Sequence, residues 1–330
     1  MSLPNNSIVT EFVLVGLPIQ IDFMKITFLC FLIIYLINLT ANFCTMAIII
    51  IDLPLHTPMY FFLWNLAFLD ICYSSVVVPK MLIGLLSQKQ MISFYGCMLQ
   101  VQFFHFLGST EVILFSVMSY DRFVAIAHPL RYTTIMSPNA CLCLALCSWV
   151  IGFFHALIHT IMTAKLPFCG PNDIKHFFCD VKPMLILACA DTSLNLKLIT
   201  RITGTLTTTT LVLTILSYIF ISKYLFKIKT SQGRRRALST CSAHLCVVSL
   251  QYGTAVFTYA RPSTKDSLDQ DRMAAILFTV ITPALNPIIY TLRNKDMKKA
   301  LKKLFLRKCS FLKKVFYLLL KLKKTCLVSP

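Results

Sequence analysis

Seven stretches of the chain are almost uniformly apolar, at approximately 26–51, 58–86, 97–120, 140–164, 198–222, 237–260 and 273–292. A helix of about 20 apolar residues crosses the hydrocarbon core of a bilayer. A helix also satisfies its own backbone polar groups where no water can. The short alternating segments of a membrane β-barrel do not occur. The pattern predicts an all-α integral membrane protein: a seven-transmembrane helix bundle over 26–292, preceded by residues 1–25 and followed by a basic tail, 293–330.

Ionisable groups inside such spans are expensive and mark functional positions. They are Asp70, Glu111, Asp121, Arg122 and the histidines at 105, 155, 159 and 244. With Asn42 and Asn286, Asp70 and Glu111 are expected to form a polar core linking spans one, two, three and seven. A sodium ion near Asp70 would suit it, since hard cations take oxygen ligands. Glu111 and Arg122 are eleven residues apart, almost three whole turns, so both face the bundle interior about 16 Å apart along the axis. Asp121 beside Arg122 is expected to shield the guanidinium as an ion pair. Pro79, Pro283 and Pro287 remove backbone donors and mark plausible kinks.

Helical spacing also defines a candidate ligand pocket. On the third span Phe104, His105, Gly108, Ser109 and Val112 share a face above Glu111; on the sixth Tyr252, Ala255, Val256 and Tyr259 do the same. Thr203, Leu206 and Thr207 on the fifth, with Ile276 and Thr279 on the seventh, would close it. These faces are mostly apolar with a few hydroxyls, as a small-molecule pocket should be. His105 reads as a hydrogen-bonding pocket histidine rather than a metal ligand.

Composition agrees with a membrane protein. Of the 330 residues 57% are hydrophobic and 14% charged, where a soluble domain carries about a quarter charged. Lysine and arginine are uneven. The segment 223–236 holds six and the tail thirteen, and with Arg122 and Arg131 one face carries 21 of 32. Eight of the thirteen acids fall on the other face. Excess Lys and Arg marks the cytoplasmic side, so the tail is expected inside and the N-terminus outside. No cleavable signal is expected ahead of the first span. Asn5-Asn6-Ser7 is then a usable glycosylation sequon at Asn5. The net charge of +19 reads as a membrane-surface signal more than a nucleic-acid one. In the tail, Leu301, Leu304 and Phe305 share a helical face flanked by Lys298, Lys299, Lys302 and Lys303, the pattern of an interfacial amphipathic helix. Cys309 is a candidate palmitoylation site there. Of the 14 cysteines, Cys97, Cys169, Cys179 and Cys189 fall on the outer, oxidising side. Four cysteines allow three pairings, among which spacing does not choose.

"MSYDRFVAIAHPLRY" (118–132) and "PALNPIIYTLRN" (283–294) carry Asp121-Arg122-Phe123 and Asn286-Pro287-x-x-Tyr290. These resemble rhodopsin-like G-protein-coupled receptors. With "LHTPMYFFL" (55–63), "LAFLD" (66–70), "SYIFI" (217–221) and "RALSTCSAHL" (236–245), the chain more specifically resembles the olfactory receptors. Phe123, Ala41 and Ala67 depart from the usual Tyr, Gly and Ser. The resemblance implies a receptor for small volatile odorants that couples to a stimulatory G protein and adenylyl cyclase. It implies Asp121, Arg122, His128, Arg131, Tyr218 and Tyr290 as switch and coupling residues. It implies the pairs Cys97–Cys179 and Cys169–Cys189.

Another class remains, a channel or transporter, for which intramembrane carboxylates and proline-broken helices would also serve. No internal repeat between halves supports it. No HExxH, Gly-rich phosphate loop or G-x-S-x-G element points to an enzyme. No cofactor is expected apart from the sodium ion; the expected partners are an odorant, a G protein and membrane lipid, and no nucleic acid.

Overall fold

The computed structural model describes residues 9–17, 19–87, 90–226, 230–259, 267–294 and 296–304. Asn5, Lys227, Lys229, Cys309 and the tail beyond residue 304 lie outside the described residues.

Seven long helices form the bundle: α1 Ile21–Ile51, α2 Pro58–Ser87, α3 Phe94–Ala127, α4 Pro138–Ala164, α5 Ser193–Leu225, α6 Ser231–Tyr259, and α7, which starts as Ser267–Ile276 and ends as Thr282–Arg293. An eighth short helix, α8, covers 296–304. Local signals set several ends. Ser93 caps α3 by accepting from the Gly96 amide at 3.1 Å, and Ser137 caps α4, with Pro138 in its first turn. The side chain of Asn294 accepts from the amides of Asp296 and Met297, opening α8.

Six of the seven long helices are apolar enough among the described residues to cross a membrane. The exception is α6, which opens on Gln232 and Arg234 and carries Ser249, Gln251 and Thr254 further on. Leu29, Ile33, Phe154 and Val212 are each about half exposed on the bundle's outer face. So large an apolar surface needs a lipid solvent.

α3 is the central helix, packed on α2, α4, α5 and α6. Its approach to α4 depends on Gly152. A Cβ there would collide with the hydroxyl of Thr110 and stand 3.0 Å from the Phe106 carbonyl oxygen.

The helices outrun several predicted ends. α3 continues seven residues past Tyr120, to Ala127, because Asp121 and Arg122 are themselves buried, 1% and 5% exposed. α5 starts at Ser193 and contains a π turn, Ile199–Thr203. α6 starts at Ser231, six residues early. α7 contains a second π turn, Leu277–Ile281, just ahead of Pro283.

One element was not predicted. A three-stranded sheet, in the order β2-β1-β3, joins β1 Glu11–Leu14, β2 Gln90–Ser93 and β3 Asp173–Ile174. β1 pairs antiparallel with β2 (Glu11 opposite Ser93) and parallel with β3 (Leu14 opposite Ile174). Phe12 and Leu14 point inward to a small core with Cys97, Phe168, Ile174 and Cys179. The Cys97–Cys179 disulfide ties this core to the start of α3, and Cys169–Cys189 closes the loop on itself.

Candidate functional site

Beneath the sheet, α2, α3, α5, α6 and α7 surround a small cavity of about 60 Å³. Its walls are Tyr73, Phe104, His105, Gly108, Ser109, Val112, Thr203, Leu206, Thr207, Gln251, Thr254, Ala255 and Phe278. Nine of the fourteen expected pocket residues line it: all five from α3, all three from α5, and Ala255.

The others do not, for geometric reasons. Tyr252 is buried below the cavity, its hydroxyl donating to the Val112 carbonyl at 3.1 Å. Val256 is 46% exposed on the bundle's outer face. The inward face of α6 is therefore Gln251, Thr254 and Ala255, one position from the predicted one. On α7 the π turn adds a residue to one turn and shifts the face. Phe278 reaches the cavity, while Thr279 turns back to donate to the Ala275 carbonyl and Ile276 packs against the core. The side chain of Tyr259 lies outside the described residues. Tyr73, Gln251, Thr254 and Phe278 are wall residues that the helical-spacing argument missed. Gln251 and Thr254 were legible as polar residues in a span.

The polar groups of the upper cavity are cross-tied. His105 Nε2 contacts Asp180 Oδ1 at 3.1 Å. Burial alone would raise the Asp180 carboxyl, but the hydrogen bond and charge of His105, with His176 and the Val181 amide, outweigh it and hold it below the usual carboxylate range. An ionised carboxylate only accepts, so Nε2 of His105 carries the proton. Asp180 was missed, yet it neighbours Cys179, which the disulfide fixes at the top of α3. Ser109 Oγ meets His155 Nδ1 at 2.8 Å, and Thr203 Oγ1 meets Nε2 of His155 (3.3 Å) and of His159 (3.2 Å). Thr203 closes the π turn of α5. Among the described residues no cluster of His, Cys, Asp and Glu is arranged to hold a metal ion. Of the Thr run at 207–210, Thr210 donates to the Leu206 carbonyl one turn back.

The polar core forms two parts. Asn286 Nδ2 donates to both oxygens of Asp70, at 2.9 and 3.2 Å. Asn42 Nδ2 donates to the Pro283 carbonyl at 3.2 Å. Pro287 has no N–H to reach that carbonyl one turn back, so Asn42 of α1 satisfies the gap. Asn38, not foreseen, joins Asn42 and Ser74. Glu111 Oε2 accepts from Gln251 Nε2 at 2.8 Å. Glu111 Oε1 and Asn286 Oδ1 are buried with no protein partner.

At the far end of α3, Asp121 and Arg122 do not form the expected ion pair. Asp121 Oδ1 instead accepts from the Tyr132 hydroxyl at 2.8 Å. Consecutive residues on a helix point about 100° apart, since 3.6 residues make a turn. Nε and Nη1 of Arg122 are buried without a hydrogen-bond partner, as is the Tyr290 hydroxyl. Tyr218 meets His244 Nδ1 at 2.7 Å. His128 and Arg131 are exposed beyond the end of α3. On α8, Met297 and Ala300 are buried, Leu301 and Leu304 half-buried, and Lys298, Lys299 and Lys302 exposed; Lys303 pairs with Asp52 at 2.6 Å.

A family model described as "Olfactory receptor" matches residues 30–308. The human protein "Olfactory receptor 12D1" is 53% identical over 297 residues, 90% of this chain and 93% of its own length. The human "Olfactory receptor 12D3" is 50% identical, covering 93% of this chain and 97% of its own. The mouse "Olfactory receptor 1E16" is 43% identical, covering 93% and 98%.

Proposed function

Because the chain belongs to the olfactory receptor family of G-protein-coupled receptors, multi-pass proteins of the plasma membrane that signal rather than catalyse, we propose that a small organic odorant in the cavity drives a stimulatory G protein and raises cyclic AMP. One observation carries this reading: a mostly apolar cavity at the centre of the bundle, with Gln251 in its wall hydrogen-bonded to Glu111 of the polar core. The disulfide end is then extracellular, with the N-terminus and Asn5 outside. The Arg122 end and the tail are cytoplasmic.

An occupant that moves α6 against α3 acts on two bonds at once, Gln251 to Glu111 and Tyr252 to the Val112 carbonyl. Below them Asp70 and Asn286 couple α2 to α7. The unpartnered oxygens of Glu111 and Asn286, together with the Asp70 carboxylate, suit a hard monovalent cation such as sodium, which supplies positive charge among buried oxygens. Arg122 and Tyr290 are buried groups awaiting partners. A buried unsatisfied group costs about 1–3 kcal/mol, so a state that pairs them is favoured to that extent. His128, Arg131 and the 227–236 segment then face the G protein. Residues 1–25, 26–292 and 293–330 serve as outer segment, receptor domain and cytoplasmic tail. α8 and the basic residues after it lie on anionic lipid, where Cys309 is placed to take an acyl chain.

The discriminating experiment adds an odorant panel to cells expressing the receptor, recording cyclic AMP and membrane current. Cyclic AMP should rise only in the presence of a stimulatory G protein. A current that persists without any G protein would instead make the chain a channel.

A further inference from the structure

We infer that the cavity selects neutral hydroxyl-bearing molecules, alcohols or phenols, whose O–H donates to Oε1 of Gln251. This rests on the reading of the cavity as the ligand site and adds the chemical class. Gln251 is 5% exposed and lines the cavity. Its Nε2 is committed to Glu111 Oε2 at 2.8 Å. With Nε2 donating to Glu111, Oε1 is the atom left over. It is buried and has no hydrogen-bond partner.

Four other polar side chains of the wall are engaged. His105 is tied to Asp180, Ser109 to His155, and Thr203 to both His155 and His159. Thr254 donates to the carbonyls of Leu250 and Gln251 in its own helix. A buried acceptor without a donor is the feature a ligand can improve. Ketones, ethers and hydrocarbons carry no donor and leave it unmade. No Lys, Arg, Asp or Glu is among the lining residues, so a ligand carboxylate or ammonium would be buried there without a countercharge. Phe104, Val112, Leu206 and Phe278 take the hydrocarbon body.

The test measures concentration–response curves for cyclic AMP in cells expressing the full receptor. The probes are octan-1-ol and 4-ethylphenol, the methyl ether of each, and octanal and octane. Alcohol and phenol should activate, and methylating the oxygen should weaken potency roughly 10- to 100-fold. Gln251→Leu, compared at equal surface density, should abolish that preference. Ethers or octanal as potent as the hydroxyl compounds, or no response to either hydroxyl compound, overturns the inference. These comparisons use the unaltered receptor and hold even if Gln251→Leu fails to reach the surface. A hydroxyl preference that survives in Gln251→Leu also overturns it. Ala255→Trp, which fills the cavity, separates the two levels. If every agonist keeps its potency in Ala255→Trp, the cavity is not the ligand site and the parent reading falls. If Ala255→Trp abolishes responses while hydroxyl and ether remain equivalent, only the assignment to Gln251 falls.

Discussion

The Tyr132 hydroxyl donates to the carboxyl of Asp121 at 2.8 Å, so the acid at the end of α3 is held by the following turn and not by its neighbour Arg122. Nε and Nη1 of Arg122 have no hydrogen-bond partner. The Tyr132 bond therefore does two things. It docks the short Tyr132–Ile135 helix onto α3, and it occupies Oδ1 of Asp121.

Removing that hydroxyl tests both roles. A hydrogen bond to a charged group contributes about 1.5–3 kcal/mol, worth roughly 10- to 100-fold in the docked population. In Tyr132→Phe, Asp121 is free to turn to Arg122, and the turn carrying His128 and Arg131 loses its tether. The maximal agonist-stimulated cyclic AMP response should fall at unchanged surface density. A full response in Tyr132→Phe would show that the contact is incidental.

Gly152 sets the spacing of α3 and α4, where an added Cβ collides with Thr110 and crowds the Phe106 carbonyl. Overpacking of this kind costs about 1–3 kcal/mol. Gly152→Ala should lower the thermal midpoint of detergent-solubilised receptor and its surface yield. Gly170→Ala, where a Cβ meets nothing within 4 Å, should leave both unchanged. Equal melting of the two variants would contradict the packing account.

The loop over the cavity should loosen in acid. His176 is 3% exposed; burial lowers it from 6.5 to about 4, Arg272 adds to the shift, and Asp180 opposes it. The undocked loop binds a proton near pH 6.5 and the docked loop only near pH 4. Between those values the undocked form holds more protons, so docking is full above about 6.5 and weakens as pH falls toward 4. Asp180, lowered by its partners, loses its contribution at still lower pH. Protection of the amides across 173–180, corrected for the intrinsic slowing of exchange in acid, should decrease from pH 7.5 to pH 5, and His176→Phe should flatten that dependence. Protection that is equally pH-dependent in His176→Phe would remove His176 as the cause.

Much of this was legible in the chain. Six of the spans were readable because their apolar runs exceed what a soluble helix needs, and the α3 face of the cavity because its residues recur at three and four. The ends were harder. Asp121 and Arg122 look like a boundary by polarity, yet tertiary contacts bury them and the helix runs on. On α6 the bulky apolar Tyr252 and Val256 drew the predicted face one position away from Gln251 and Thr254, which carry the polar signal. The π turn in α7 shifts side chains by a residue that spacing arguments do not count. The sheet could not be read, because segments of two to four residues at 11, 90 and 173 pair only after the bundle and its disulfide bring them together.

The central claim is that a molecule in this cavity controls the G protein at the opposite end of α3. It is tested most directly by agonist-stimulated nucleotide exchange on a stimulatory G protein, in membranes carrying equal amounts of wild-type receptor and Gly108→Leu. The first added carbon stands 3.5 Å from the Tyr73 hydroxyl, an ordinary contact, so the leucine branch enters the cavity instead of disrupting the helix. At a crowding cost of about 1–3 kcal/mol, every agonist should need roughly 10-fold or more higher concentration, with exchange in the absence of agonist retained. Unchanged agonist potency in Gly108→Leu would place the controlling site elsewhere and contradict the account.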